Sequence, residues 1–69
     1  MTNSLTFTVG CGSRPYAVLV LRDGLVTARM GRKVLRLVPL FYAVAWARSQ
    51  SPQPDVLPQV RLVGRHAQA

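Results

Sequence analysis

The sequence predicts an α+β domain: a small antiparallel sheet of three to four strands with one apolar helix packed on one face. Three observations predict it. The dipeptides Asp23-Gly24 and Gly31-Arg32 separate three short apolar runs between residues 16 and 38, side chains alternate in polarity within those runs, and Pro39 opens an apolar run rich in alanine. Alternation is typical of strands, and alanine after proline is typical of a helix start.

The two dipeptides predict tight turns that fix the pairing of the strands. Asp-Gly favours a two-residue turn because both central residues need positive φ, which Asp and Gly tolerate. The first turn predicts the pairs Arg22–Leu25, Leu21–Val26, Val20–Thr27, Leu19–Ala28 and Val18–Arg29, and the second predicts Met30–Lys33, Arg29–Val34, Ala28–Leu35 and Thr27–Arg36.

This register sorts the side chains onto two faces, because successive strand residues point in opposite directions. The predicted core face is apolar and carries Ala17, Leu19, Leu21, Val26, Ala28, Met30, Leu35 and Leu37. The mixed face combines arginines with aliphatic residues and carries Val18, Val20, Arg22, Leu25, Thr27, Arg29, Val34, Arg36 and Val38. A slip by one residue would place arginines in the core, so we expect this register to be specific.

The flanking segments complete residues 1–50 as the predicted core domain. Leu5–Val9 alternates apolar residues with threonine and predicts a strand, and the segment from Gly10 to Pro15 predicts a connecting loop. The helix is predicted over Leu40–Gln50 and is apolar nearly all round. We expect one side of this helix to pack on the sheet. Helical spacing places six residues on one stripe of the helix: Leu37, Leu40, Phe41, Val44, Ala47 and Arg48.

Residues 51–58 contain three prolines and predict a stiff, extended linker. Gln59–Val63 then predicts a strand with three alternatives: it pairs with a free edge of this sheet, adds to a partner's sheet, or swaps between subunits. Gly64–Ala69 predicts a flexible tail.

Length and composition restrict the function classes. Sixty-nine residues form one domain with a small core. The chain has one cysteine and one histidine, which excludes an internal disulfide and a structural zinc site built from this chain alone. We therefore expect oligomerisation or docking to a larger protein to add stability. No secretory signal is evident, and the apolar run at 37–47 is shorter than the roughly 20 residues of a membrane span. We expect a cytoplasmic protein.

The charge balance favours acidic partners. The chain has nine basic residues, eight of them arginine, against only Asp23 and Asp55, for a net charge of +7. Nucleic acid, a membrane surface or an acidic protein surface suits this balance, although a GC-rich genome also favours arginine codons.

No residue pattern predicts catalysis, a metal site or a cofactor. Asp23 belongs to a turn, Asp55 to the linker and His66 to the tail, so a partner for Cys11 is not indicated. The segment from Gly10 to Arg14 lacks the Gly-Lys-Ser/Thr ending of a phosphate-binding loop. We therefore expect a non-enzymatic protein.

The mixed face is the predicted functional site. Its basic residues, with those of the adjoining turn and of the last strand, are predicted to bind nucleic acid or an acidic partner: Arg22, Arg29, Arg32, Lys33, Arg36 and Arg61. A face this apolar is expected to be covered, so a hydrophobic interface is predicted at Val18, Val20, Leu25, Val34, Val38, Tyr42 and Trp46. For the two aromatic residues, packing in the core is the competing interpretation.

Three strands followed by a helix, with residues 33–37 (KVLRL) running into the alanine-rich helix, resemble the small DNA-binding domains at the N-termini of some phage-type integrases. The resemblance covers about a third of the chain and implies DNA binding.

Two functions remain open. The first is a small basic module that binds nucleic acid or an acidic nucleoprotein surface. The second is an adaptor or inhibitor, of the kind encoded by phages and mobile elements, that docks onto a larger host protein. A structural subunit of an assembly is a third hypothesis.

Overall fold

A computed structural model describes residues 2–68, with side chains for residues 3–65, and it confirms the predicted α+β class. The elements are β1 (Thr2–Cys11), β2 (Arg14–Arg22), β3 (Leu25–Met30), β4 (Lys33–Val38), α1 (Leu40–Ser49) and β5 (Gln59–Gln68). All neighbouring strands are antiparallel, in the spatial order β4-β3-β2-β1-β5, and α1 packs on one face of this sheet. We call the opposite face, which corresponds to the predicted mixed face, the outer face.

The hairpin of β2 and β3 confirms the predicted turn and register. Asp23 and Gly24 both have positive φ, 53° and 79°, as a type I′ turn requires. All five predicted pairs are present, from Arg22 opposite Leu25 to Val18 opposite Arg29. Local sequence therefore suffices to position these two strands.

The hairpin of β3 and β4 follows the predicted register for the three pairs nearest the turn. Its pairs run as predicted to Ala28 opposite Leu35, but the predicted Thr27–Arg36 pair is wrong. Val26 lies opposite Val38, so Arg36 and Leu37 together occupy the space opposite Thr27. This is a β-bulge, in which one strand has an extra residue.

The bulge exchanges the predicted faces of Leu37 and Val38. Val38 packs against the core, whereas Leu37 is 68% exposed, so both predictions are wrong. Leu37 reaches this position with φ at 55°, in the left-handed region. For a leucine that conformation costs about 1–2 kcal/mol, because Cβ approaches the following carbonyl oxygen.

The hairpin of β1 and β2 replaces the predicted loop at Gly10–Pro15. Strand pairing continues to Cys11 opposite Arg14, with a turn at Gly12-Ser13 and a register shift that leaves Tyr16 as an extra residue. Gly10 is needed there, since a Cβ atom on it would lie 2.6 Å from the Arg14 carbonyl oxygen. The backbone approach is too close for any other residue.

Strand β5 pairs with β1 of the same chain, which decides among the three alternatives for this segment. It also extends to Gln68, through residues where a flexible tail was predicted, while Ala69 lies outside the described residues. A register shift between Thr6 and Phe7 leaves Val63 as the extra residue on β5.

Helix α1 confirms the predicted position and only part of the predicted stripe: Ala47 is buried and Val44 packs against the core, but Leu37, Leu40, Phe41 and Arg48 are exposed. It begins after Pro39 and buries Ala43 and Ala47 completely, while Leu40 is exposed and Phe41 is 76% exposed. A helix that is apolar all round does not reveal its buried face by hydrophobicity. Here the small side chains face the sheet, because they let the helix approach closely.

The core lies between α1 and the sheet and is built largely from small residues. Its fully or nearly fully buried members are Val9, Ala17, Leu19, Val26, Ala28, Ala43 and Ala47. The predicted linker returns the chain from α1 to β5 and is not extended: the Val56 N–H donates to the Gln53 carbonyl oxygen at 3.0 Å, and Pro58 is buried.

A matched pair of substitutions on α1 tests this packing. Ala43→Leu should destabilise the protein by about 1–3 kcal/mol, because the added methyl groups enter a filled core. Ala45→Leu, on the exposed side of the same helix, should change stability by less than about 0.5 kcal/mol. Urea denaturation followed by circular dichroism measures both. Equal effects would contradict the orientation of the helix.

Candidate functional site

The outer face brings predicted site residues together in a row that crosses all five strands. Arg61 lies opposite Thr8, Thr8 opposite Val18, and Val18 opposite Arg29. Val34 completes the row opposite Arg29. Residues directly opposite each other share a face. Arg61 therefore joins the outer face, as expected if the last strand paired within the sheet.

Two further arginines lie on the same face. Arg22 lies opposite Leu25 in β3, four residues along β2 from Val18. Arg36 belongs to the bulge of β4, where it lines a hollow with Thr27 and Arg29. All four arginines, Arg22, Arg29, Arg36 and Arg61, are exposed.

Aliphatic side chains lie between these arginines. Val18, Leu25 and Val34 are each about 40% exposed, and Val20 is half-buried. Leu37, rather than the predicted Val38, lies on this face. It lines two surface pockets, one together with Arg29 and Arg36 and the other together with Arg22. Val63, next to Arg61 in a third pocket, is a further exposed apolar residue that the predicted site omitted. Alternation along β5 could have indicated it, since Val63 is two residues from Arg61.

The remaining predicted binding residues lie elsewhere. Lys33 pairs with core-facing Met30 and is on the helix side, where its Nζ donates to Gln50 Oε1 at 3.0 Å. Arg32 is exposed in the turn. On α1, Trp46 is half-buried against the core and Tyr42 is exposed. These two aromatic residues are therefore separate from the outer face.

The outer face is electrostatically one-sided. Among the described residues, the one acidic side chain at its rim is Asp23, which lines a hollow with Arg22 and Leu37. Asp55, the other carboxylate of the chain, is in the connection between α1 and β5. Four guanidinium groups give this face a concentrated positive charge, which attracts anions.

A second group of polar side chains joins the first hairpin to the end of α1. The Tyr16 hydroxyl donates to the Ala47 carbonyl oxygen at 2.5 Å, and the buried Cys11 Sγ lies 3.3 Å from Ser51 Oγ. Burial raises the pKa of Tyr16, and the nearby Cys11 thiol adds to this, while Ser51 and Arg48 oppose it. The contacts tie the helix end to the sheet.

The described residues give no support to a metal centre, since no three His, Cys, Asp or Glu side chains among them are grouped closely enough to hold an ion. Within residues 2–68, no helix has the length and apolar character that crossing a membrane requires. The outer face is the main candidate for function because it combines four exposed arginines with exposed aliphatic side chains.

Comparisons with known proteins found no family model, no curated protein and no solved structure that matches this chain.

The Tyr16 hydrogen bond makes a prediction about pH. A raised pKa means that the folded protein keeps the phenol proton when the unfolded chain has lost it. The stability that this hydroxyl contributes is therefore present below the ordinary tyrosine pKa of about 10 and is lost as pH rises through and above it.

Tyr16→Phe should cost about 1 kcal/mol at pH 8 and less at pH 11. The difference in free energy of unfolding between the two proteins, measured by urea denaturation at both pH values, isolates this effect from other titrating groups. A difference that is independent of pH would contradict it.

Proposed function

We propose that this protein is a non-enzymatic binding module that binds the phosphate backbone of nucleic acid, or an acidic nucleoprotein surface, through the outer face. The observation that carries the proposal is the convergence of Arg22, Arg29, Arg36 and Arg61, from four different strands, on one uncovered face. Their side chains are exposed and one face of the sheet fixes their spacing.

Guanidinium groups suit phosphate because each offers a planar fork of donors that binds two oxygens. Arg29 and Arg61 are three strands apart in one row, which is about 14 Å at the usual spacing of strands. Arginines so far apart contact different phosphates and neutralise an extended stretch of backbone.

Double-stranded nucleic acid is the better ligand. Single strands are usually bound by aromatic side chains that stack on unpaired bases. None of the five aromatic residues, all within the described part of the chain, lies on the outer face: Phe41, Tyr42 and Trp46 are in α1, and Phe7 and Tyr16 pack against the core. Backbone contacts to a duplex need charge and shape rather than stacking.

A second copy of the chain is a poor ligand for this face. A symmetric dimer through the outer faces would oppose four arginines with the same four arginines, and like charges across an interface are destabilising. Light scattering of the pure protein, with and without a DNA duplex, tests this: self-association through the outer face would be blocked by the duplex.

Docking onto an acidic host protein is the second candidate, as an adaptor or inhibitor. The exposed aliphatic residues favour it, since Val18, Leu25, Val34 and Leu37 would bury apolar area against a protein. A complex with one purified acidic protein that survives nuclease treatment and is lost in a Val34→Asp variant would support this function over the first.

Nucleic-acid binding should depend steeply on salt. If each of the four arginines neutralises one phosphate, affinity for a duplex should fall about 150-fold between 50 and 200 mM salt. Each single change, R22A, R29A, R36A or R61A, should weaken binding and reduce the slope of log affinity against log salt by about one. Fluorescence anisotropy with a labelled 20-base-pair duplex measures both quantities.

Arg48→Ala is the matched control. It removes the same charge from an exposed position on α1, away from the outer face, and should leave the slope unchanged. Salt-insensitive binding, no binding at 50 mM salt, or an equal effect of R48A would each contradict the proposed function.

A further inference from the structure

Leu37 has a backbone conformation that its own side chain disfavours. Of the described residues other than glycine, only Asp23 and Leu37 have positive φ. Asp23 is in a type I′ turn, where aspartate is favoured. Leu37 is in an edge strand, with a side chain branched at Cγ that gains nothing from the left-handed region.

The fold accounts for the presence of the bulge, but not for a leucine at position 37. The bulge places both Leu35 and Val38 on the helix side, and it interrupts an edge strand, which protects against pairing with other chains. Glycine or asparagine at position 37 would serve both purposes with less strain.

Packing does not compensate for the strain either. The Leu37 side chain is 68% exposed and does not belong to the core. Strained residues that the fold does not require are concentrated at functional sites. The reason for a leucine here therefore lies outside the folded chain, in what the outer face binds.

The surroundings of Leu37 indicate the chemistry of that ligand. Its side chain lies between two hollows, one lined by Arg29 and Arg36 and the other by Arg22. An apolar side chain with arginines on both sides suits a DNA duplex. The guanidinium groups bind phosphates, and the apolar side chain enters the duplex between the bound phosphates. Leucine is among the residues that proteins insert between base steps.

We infer that Leu37 is an apolar wedge that enters a DNA duplex bound on the outer face, partly unstacks one base step and bends the DNA. This inference rests on the proposed function. Pyrimidine–purine steps such as TA unstack most easily, so the wedge gives the protein a preference for duplexes that contain them. Contacts between the arginines and phosphates carry no sequence information directly.

The test compares wild type with Leu37→Gly and Leu37→Met on two 20-base-pair duplexes of equal base composition, one with central TA steps and one with A-tracts lacking them. Anisotropy gives the affinity, and energy transfer between dyes on the duplex ends gives the bend. Wild type should prefer the TA duplex about fivefold and bend it. Because the molecule is 41 Å long, or about 12 base pairs at 3.4 Å each, both duplexes cover it fully.

Leu37→Gly should melt at the same temperature as wild type or higher, bind the TA duplex about tenfold more weakly, and lose both preference and bend. Leu37→Met, which keeps an apolar side chain, should retain the preference. Leu57→Gly is the matched control, since Leu57 is 72% exposed but lies in the connection between α1 and β5. It should leave affinity, preference and bend unchanged.

The outcomes separate the two proposals. If wild type binds with the arginine and salt dependence described above but L37G keeps affinity, preference and bend, the wedge is overturned and the proposed function remains. If wild type binds neither duplex at 50 mM salt, both are overturned and protein docking takes their place.

Discussion

The rest of the structure depends on one constraint at the end of β4, where Leu35 and Val38 must both face the helix. They are three residues apart, and regular alternation puts residues at odd spacing on opposite faces. The extra residue at Arg36–Leu37 removes this conflict. It allows the chain to pass through Pro39 directly into α1 with Val38 packed against the core. The same bulge projects Leu37 from the outer face, so helix docking and surface chemistry are coupled.

The core between α1 and the sheet is small. Much of the buried layer is alanine, with Ala17 and Ala28 in the sheet and Ala43 and Ala47 in the helix. Close backbone approach replaces large buried side chains, and the larger apolar residues of the second half of the chain, such as Leu37 and Phe41, remain on the surface. A chain of 69 residues thus has a core of mostly small side chains and many large apolar side chains on its surface. The proposed binding to an acidic partner rests on this exterior and on the net charge of +7.

The two faces of the sheet separate the contacts that stabilise the fold from the residues of the proposed binding surface. The helix face is fixed by the core, by the Tyr16 hydroxyl on the Ala47 carbonyl and by the Cys11–Ser51 contact. Helix α1 does not cover the outer face, so its exposed arginines and aliphatic residues are accessible to the proposed ligand. A rigid sheet holds their spacing, which reduces the conformational entropy lost when the ligand binds. Substitutions on the outer face are accordingly expected to change binding more than stability.

The sequence alone determined the features that depend on local rules. Asp23-Gly24 and alternation fixed the β2–β3 register and placed Arg22 and Arg29 on one face, and Pro39 marked the helix start. Only the tertiary structure decided the faces of Leu37 and Val38, because no glycine or asparagine marks the bulge. It also decided which side of α1 is buried, since close packing of alanines outweighs the size of Leu40 and Phe41. The position of Arg61 depended on the pairing of β5 with β1, a contact between the two ends of the chain that no local pattern encodes.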